Sequence, residues 1–181
     1  WFTNRIGARE MSVEEIATGP NLSGSPSDGQ WKVIGKPGAG VTPKFMIEDK
    51  EGSRFIFKFD PMEYPEIASG AEMISSKFFH AFGYNVAETY IVSFTKDRLE
   101  IASGATFTTD TGVTLEIDQV DIDHWMSNAP VGPGGVYRAL ASKFISGETV
   151  GGFRFFGTRP DDPNDIFPHE HRRELRGYRV I

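Results

Sequence analysis

The sequence predicts an α+β fold, in which an antiparallel sheet carries one packed helix. Short runs of β-branched and aromatic residues alternate with turns rich in Gly, Pro and Asp, which is typical of antiparallel strands. Residues 65–82 differ, because Ile67, Ala71, Ile74 and Phe78 recur there at helical spacing. The chain has 181 residues, 39% of them hydrophobic, which suffices for one domain or for a domain and a half.

The composition narrows the classes of function. The formal net charge is −6, which argues against a broad surface for nucleic acid or for an anionic membrane but is compatible with a small basic pocket. The absence of cysteine excludes disulfides, thiolate metal sites and a cysteine nucleophile. No apolar run approaches the length of a membrane span. We therefore expect neither a nucleic-acid partner nor a membrane span.

Residues 1–30 are predicted to form an N-terminal arm and linker. Within this arm, residues 11–16 suit one or two helical turns, with Ser12 as the N-cap and Glu15 at the capping-box position. Residues 20–29 are rich in Gly, Ser, Pro and Asn, a composition typical of a loop.

Two predicted strands, residues 31–34 and 45–48, flank a loop that contains three glycines. Gly35, Gly38 and Gly40 allow backbone N–H groups to point into one concavity, an arrangement that suits an anion. An ordinary mobile hairpin loop explains the same residues, because a lone glycine cluster is a weak signal. Both interpretations stay open at this point.

The next predicted strand, residues 53–60, alternates cleanly between two faces. Ile56 and Lys58 share one face, and three phenylalanines occupy the other. These three are Phe55, Phe57 and Phe59. A lysine late in a strand, beside an isoleucine, fits either a solvated edge or a pocket with an apolar floor, and the strand alone does not decide between them.

A helix follows, with Pro65 suited to its first turn and Gly83 to its C-terminal stop. Two of its glutamates compete as the partner of Lys58. Helical phase places Glu66 on the solvated side and Glu72 on the flank nearer the packed face, where an unpaired carboxylate would be costly. We therefore predict that Glu72 is the partner, the alternative being that it is a partly exposed surface charge.

The second half of the sequence extends the sheet. Residues 89–94 and 99–101 are predicted strands, and residues 136–145 are a strong strand candidate. Residues 104–135 resemble an insertion. Its acidic part, residues 116–126, suits a solvated helix start better than a calcium loop, because the glycine and the terminal glutamate of such a loop are missing.

Residues 148–181 are predicted to form a connector and a final helix. A turn rich in Asp and Asn precedes Pro168, which is expected to open the helix. His169 and His171 lie two positions apart, so on a helix they point in different directions and do not form a metal-binding pair. The arginines that follow are expected to pair with the acidic turn or to face solvent.

The final helix carries no stop signal, so we expect the sequence to be a fragment of a longer protein. A truncated helix would present an exposed apolar face through which the fragment can self-associate. The residues of that face are Leu175, Tyr178, Val180 and Ile181.

Together these elements resemble the N-lobe of protein-kinase-like proteins, and most closely the HipA-like and related atypical bacterial kinase-like proteins. The similarity is carried by the strand Phe55–Phe59 with its lysine, by Glu72, and by the helix end Phe82–Val86. The loop from Gly38 to Lys44 is similar to the phosphate-covering loop of that group. The resemblance spans residues 31–181, and the order of the motifs is more specific than any one of them.

The resemblance implies an ATP site. Lys58 would contact the α- and β-phosphates, and Glu72 would hold Lys58 in place. Gly35, Gly38 and Gly40 would cover the phosphates. Ile56 would pack on the adenine, with Phe144 and Ile145 near the base. The family binds ATP with Mg²⁺, whose ligands are expected beyond Ile181.

On this basis residues 31–147 form the kinase-like N-lobe, interrupted by the insertion 104–135, and residues 148–181 lead into a helical C-lobe. No His-Arg-Asp or Asp-Phe-Gly segment is present, so the chain alone should not catalyse phosphoryl transfer. We expect the ATP-binding portion of a kinase-like phosphotransferase. The alternatives are a non-catalytic binding module of the same fold, and an unrelated α+β domain in which Lys58 and Glu72 never meet.

Overall fold

The computed structural model describes residues 2–38, 42–109, 111–147 and 154–178. Within these ranges, seven strands form one sheet and four segments form α-helices. The strands are β1 (Trp31–Lys36), β2 (Lys44–Glu48), β3 (Arg54–Lys58), β4 (Thr89–Phe94), β5 (Leu99–Thr108), β6 (Thr114–Glu116) and β7 (Tyr137–Lys143). The helices are α1 (Val13–Thr18), α2 (Ile67–Phe82), α3 (Gln119–Ser127) and α4 (Arg173–Tyr178).

The strand order in the sheet is β4-β7-β3-β2-β1-β5-β6. Neighbouring strands run antiparallel except β1 and β5, which are parallel. The predicted α+β class is therefore confirmed, and the sheet is mostly antiparallel. The parallel contact arises because β5 returns to the far side of the β1–β2 hairpin, next to β1.

One face of the sheet holds the hydrophobic core. The alternation predicted for β3 is confirmed, because Phe55 and Phe57 are buried on this face, as is Phe59 just after the strand. Helix α3 covers the same cluster with Ile122, Trp125 and Met126. The segment predicted as an insertion, residues 104–135, thus contributes part of the core.

Helix α2 lies on the opposite face, and the predicted orientation of its apolar stripe is wrong. Ile67 and Ile74 are 64% and 61% exposed, and Phe78 is exposed as well. The buried side of α2 contains Ser69 and Ser76, whose hydroxyls make hydrogen bonds to groups on the sheet side. Hydrogen bonds therefore join this helix to the sheet side, whereas an apolar contact was predicted there. Its C-terminal end at Gly83, which has φ +114°, agrees with the prediction.

The N-terminal arm packs against the C-terminal end of α2. The Arg5 guanidinium donates to the carbonyl oxygens of His80 at 2.9 Å and Tyr84 at 3.3 Å. The backbone N–H of Thr3 donates to the carbonyl of Gly83 at 2.6 Å. The capping box predicted for Ser12 and Glu15 is present at the start of α1.

The tail is held by a polar cluster around Asp165. His169 Nε2 lies 2.6 Å from Asp165 Oδ2, and Arg172 bonds the other oxygen of the same carboxylate. The predicted pairing between the acidic turn and the arginines is thus found for Arg172. Within the described ranges, no group of three or more His, Asp or Glu side chains is placed to hold a metal ion.

Leu175 is buried in the structure, whereas the sequence predicted that it would be exposed. The Tyr178 side chain, Val180 and Ile181 lie outside the described part of the chain. Self-association through this helix stays a prediction. Among the described helices, none combines the length and the apolar character that a bilayer crossing requires.

Candidate functional site

Lys58 and Glu72 meet on the face of the sheet opposite the aromatic core. The Lys58 ammonium donates to Glu72 Oε1 at 2.5 Å. Both side chains are partly accessible, at 32% and 39%. The expectation that Lys58 and Glu72 never meet, which belonged to the alternative of an unrelated domain, is therefore wrong.

The choice of Glu72 over Glu66 is confirmed by the helix geometry. Glu66 is the N-cap residue of α2 and has a left-handed backbone, with φ 71°, and it makes no side-chain capping bond. Glu72 lies farther along the 16-residue helix, on the flank that overhangs β3. Helical phase thus predicted the correct glutamate, although the apolar stripe of α2 faces solvent.

Lys44 is a third charged residue at this site, and it was not among the site residues predicted from the sequence. It pairs directly with Lys58 across the β2–β3 ladder, and it is only 8% exposed. Burial lowers the pKa of Lys44, and the positive charges of Lys58 and Lys36 lower it further. Alternation along β2 is compatible with Lys44 on the face of Lys58, but the register that sets the two lysines opposite each other is not visible in the sequence.

Lys44 and Lys58 bring two positive charges together at this end of the β2–β3 hairpin. Like charges directly opposite one another destabilise an antiparallel pair. An anion bound between Lys44 and Lys58 would relieve that repulsion.

Apolar residues lie beside these cations on the same face. Met46 and Ile56 are direct cross-strand neighbours, two residue pairs away from Lys44 and Lys58 along the β2–β3 ladder. Gly35 of β1 lies next, and a Cβ on it would approach Met46 Cε to 2.9 Å. Gly35 therefore makes room for the methionine side chain from within a strand, whereas the sequence placed it in the loop.

The glycine-bearing loop is described only in part. Gly38 has open space around it, because a Cβ there would meet no atom within 4 Å. Gly40 lies outside the described residues. The predicted phosphate-covering role of the loop accordingly stays a prediction.

Phe144 and Ile145 directly follow β7 and are exposed. The backbone N–H of Phe144 donates to the carbonyl of Arg54 at 2.8 Å, which places it beside the start of β3, whereas Lys58 ends that strand. Both residues line a separate cavity of about 390 Å³ together with Glu88. Their predicted contact with a base stays a prediction.

The donor set of this site suits phosphate oxygens better than a metal ion. Ammonium groups and open backbone N–H groups bind anions, whereas Mg²⁺ requires carboxylate or phosphate oxygens. Glu72 is engaged by Lys58. The charged groups therefore fit an anion better than a metal ion.

Comparisons with known proteins do not assign this chain to a family. No protein-family model matches the sequence. No curated protein and no solved structure shows significant similarity to it.

Proposed function

We propose that this chain is the ATP-binding N-lobe portion of a kinase-like phosphotransferase. The observation that carries the proposal is the 2.5 Å contact between Lys58 and Glu72 on the open face of the sheet. Lys44, paired with Lys58 across the ladder, supports it. The order of the elements, from the glycine-bearing loop through the lysine strand to the glutamate helix, supports it as well.

In this proposal each residue has a defined task. The Lys58 ammonium binds phosphate oxygens, and Glu72 holds that ammonium toward the ligand. Lys44 adds a second positive charge. Ile56 and Met46 provide an apolar surface for the base. Mg²⁺ bound with the nucleotide would neutralise part of the phosphate charge.

Phosphoryl transfer requires a positioned catalytic carboxylate in addition to a bound nucleotide. The 181 residues contain neither a His-Arg-Asp nor an Asp-Phe-Gly segment. We therefore assign nucleotide binding to this chain and assign transfer to residues that it does not contain. The absence of these segments also favours a second candidate, a non-catalytic binding module of the same fold.

Calorimetric titrations of the chain with ATP and with AMP, at fixed Mg²⁺, test the proposal. We expect ATP to bind at least about tenfold more tightly, because the lysines contact phosphates that AMP lacks and one charged hydrogen bond accounts for a factor of that size. Equal affinities would mean that the cations do not face the phosphates. No measurable ATP binding at millimolar concentration would contradict the proposal altogether.

A further inference from the structure

A buried carboxylate lies where β3 leads out toward α2. Asp60 is 3% exposed and accepts two hydrogen bonds from Ser69. Its Oδ1 accepts from the Ser69 backbone N–H at 2.7 Å, and its Oδ2 accepts from the Ser69 hydroxyl at 2.7 Å. One carboxylate therefore engages both donors of a residue in the first turn of the helix.

Asp60 replaces a missing helix cap. The first N–H groups of a helix have no partner within it and are usually satisfied by the side chain of the N-cap residue. Glu66, the N-cap residue of α2, makes no such bond. Ser69 is the third residue of the helix, and Asp60 satisfies its N–H from outside the helix. A negative charge at a helix N-terminus is also favoured by the helix dipole.

Arg138 of β7 joins the same cluster. Its guanidinium donates to Asp60 Oδ2 at 3.1 Å and also to the Ser69 hydroxyl. The cluster thus connects the end of β3, the first turn of α2 and the strand adjacent to β3. Each of its three members forms hydrogen bonds with the other two.

The cluster and the Lys58–Glu72 pair join the same two elements. Asp60 follows Lys58 by two residues, and Ser69 precedes Glu72 by three residues, almost one helical turn. We propose that the Asp60–Ser69–Arg138 cluster is a positioning device that holds α2 where Glu72 reaches Lys58. Its consequence for nucleotide affinity rests on the function proposed above.

The ion pair itself is a poor candidate for holding the helix. Both of its members are partly accessible, and pairs of this kind contribute little to stability. The apolar stripe of α2 does not hold the helix either, because it faces solvent. Asp60 and Ser69 are buried and hydrogen-bonded to each other and to Arg138, so they form a contact that can fix the start of the helix relative to β3.

The test measures the environment of the Lys58 side chain by NMR. The Cε–Hε NMR signal of Lys58 is recorded in a chain labelled with ¹³C-lysine and is assigned by its loss in Lys58→Met. Glu72→Gln supplies the signal of the broken pair. We expect Asp60→Ala to move the Lys58 signal toward the Glu72→Gln position and to weaken ATP binding about tenfold.

Asp49→Ala is the matched control. Asp49 is also buried; burial raises its pKa, but backbone N–H groups of Ser27, Ser53 and Glu51 outweigh that effect and lower it. It lies in the β2–β3 turn and does not contact α2. Its loss should reduce stability and leave the Lys58 signal in place.

Ser69→Ala gives a second variant in case Asp60→Ala does not fold. It removes the hydroxyl that Asp60 and Arg138 share, and we expect a smaller shift of the Lys58 signal in the same direction, whereas Ser69→Thr should restore the wild-type signal. A folded Asp60→Ala or Ser69→Ala chain with an unchanged Lys58 signal would overturn the positioning role. If the wild-type chain binds no ATP, the proposed function fails, while the Lys58 signal still decides the role of Asp60.

Discussion

Replacing Lys58 with methionine is expected to weaken ATP binding about ten- to a hundredfold. A hydrogen bond between charged partners contributes roughly 1.5–3 kcal/mol, and each 1.4 kcal/mol corresponds to about a factor of ten in Kd. Methionine keeps most of the apolar length of the side chain, so β3 should retain its packing. Isothermal titration calorimetry at fixed Mg²⁺ measures the change.

Lys96→Met is the control for this substitution. The Lys96 ammonium donates to Asp123 of α3 at 2.8 Å, so it is also a lysine bound to a helix carboxylate. It lies on the other side of the molecule from Lys58, beside Tyr137 of the core. Its replacement should leave the ATP affinity unchanged to within about twofold. Equal losses in the two variants, or no loss in Lys58→Met, would contradict the assignment.

The largest loss of stability is expected for Phe57→Ala. Phe57 of β3 is fully buried, with ring centroids 5.1 Å from Trp31, 5.5 Å from Phe94 and 5.9 Å from Phe45. Truncating a buried phenylalanine leaves a cavity and lowers the free energy of unfolding by about 3–5 kcal/mol. Chemical denaturation followed by circular dichroism measures this change.

Ile74→Ala is the matched comparison, because it tests the face of α2 that the sequence assigned wrongly. Ile74 is 61% exposed, so its truncation should change the free energy of unfolding by no more than about 0.5 kcal/mol. If Ile74→Ala were as destabilising as Phe57→Ala, α2 would pack through its apolar stripe in solution. A Phe57→Ala chain of wild-type stability would contradict the position of the core.

Local patterns predicted much of the fold. Alternation along β3 separated the buried phenylalanines from Ile56 and Lys58, because successive side chains of a strand point to opposite faces. Gly83 marked the end of α2, where φ is +114° and where a Cβ would lie 2.7 Å from the Thr3 carbonyl oxygen. Ser12 and Glu15 marked the start of α1 through their reciprocal capping bonds.

The orientation of α2 could not be predicted from its own residues. Its apolar side is exposed, and its buried side carries Ser69 and Ser76. Helical periodicity therefore predicted the helix correctly but assigned the wrong face to the side that packs on the sheet. The partners that make burial of Ser69 favourable are Asp60 and Arg138, which lie 9 and 69 residues away in sequence. Such contacts leave no periodic signal.

The site was predicted only in part, because one of its contacts also depends on strand pairing that leaves no periodic signal. Lys58 and Glu72 belong to adjacent elements, and their contact follows from strand alternation and helical phase. Lys44 acquires its position only through the register of β2 against β3, in which it faces Lys58. Gly35 was assigned to the loop, since the sequence does not show that β1 extends to Lys36.

The Lys58 side-chain signal during a titration with ATP and Mg²⁺ shows whether the nucleotide binds beside Lys58. In a ¹³C-lysine-labelled chain, we predict that the Cε–Hε signals of Lys58 and Lys44 shift and reach saturation together, while the signal of Lys96 stays in place. Saturable ATP binding that leaves the Lys58 signal unmoved would place the nucleotide elsewhere and would rule out Lys58 as a phosphate ligand.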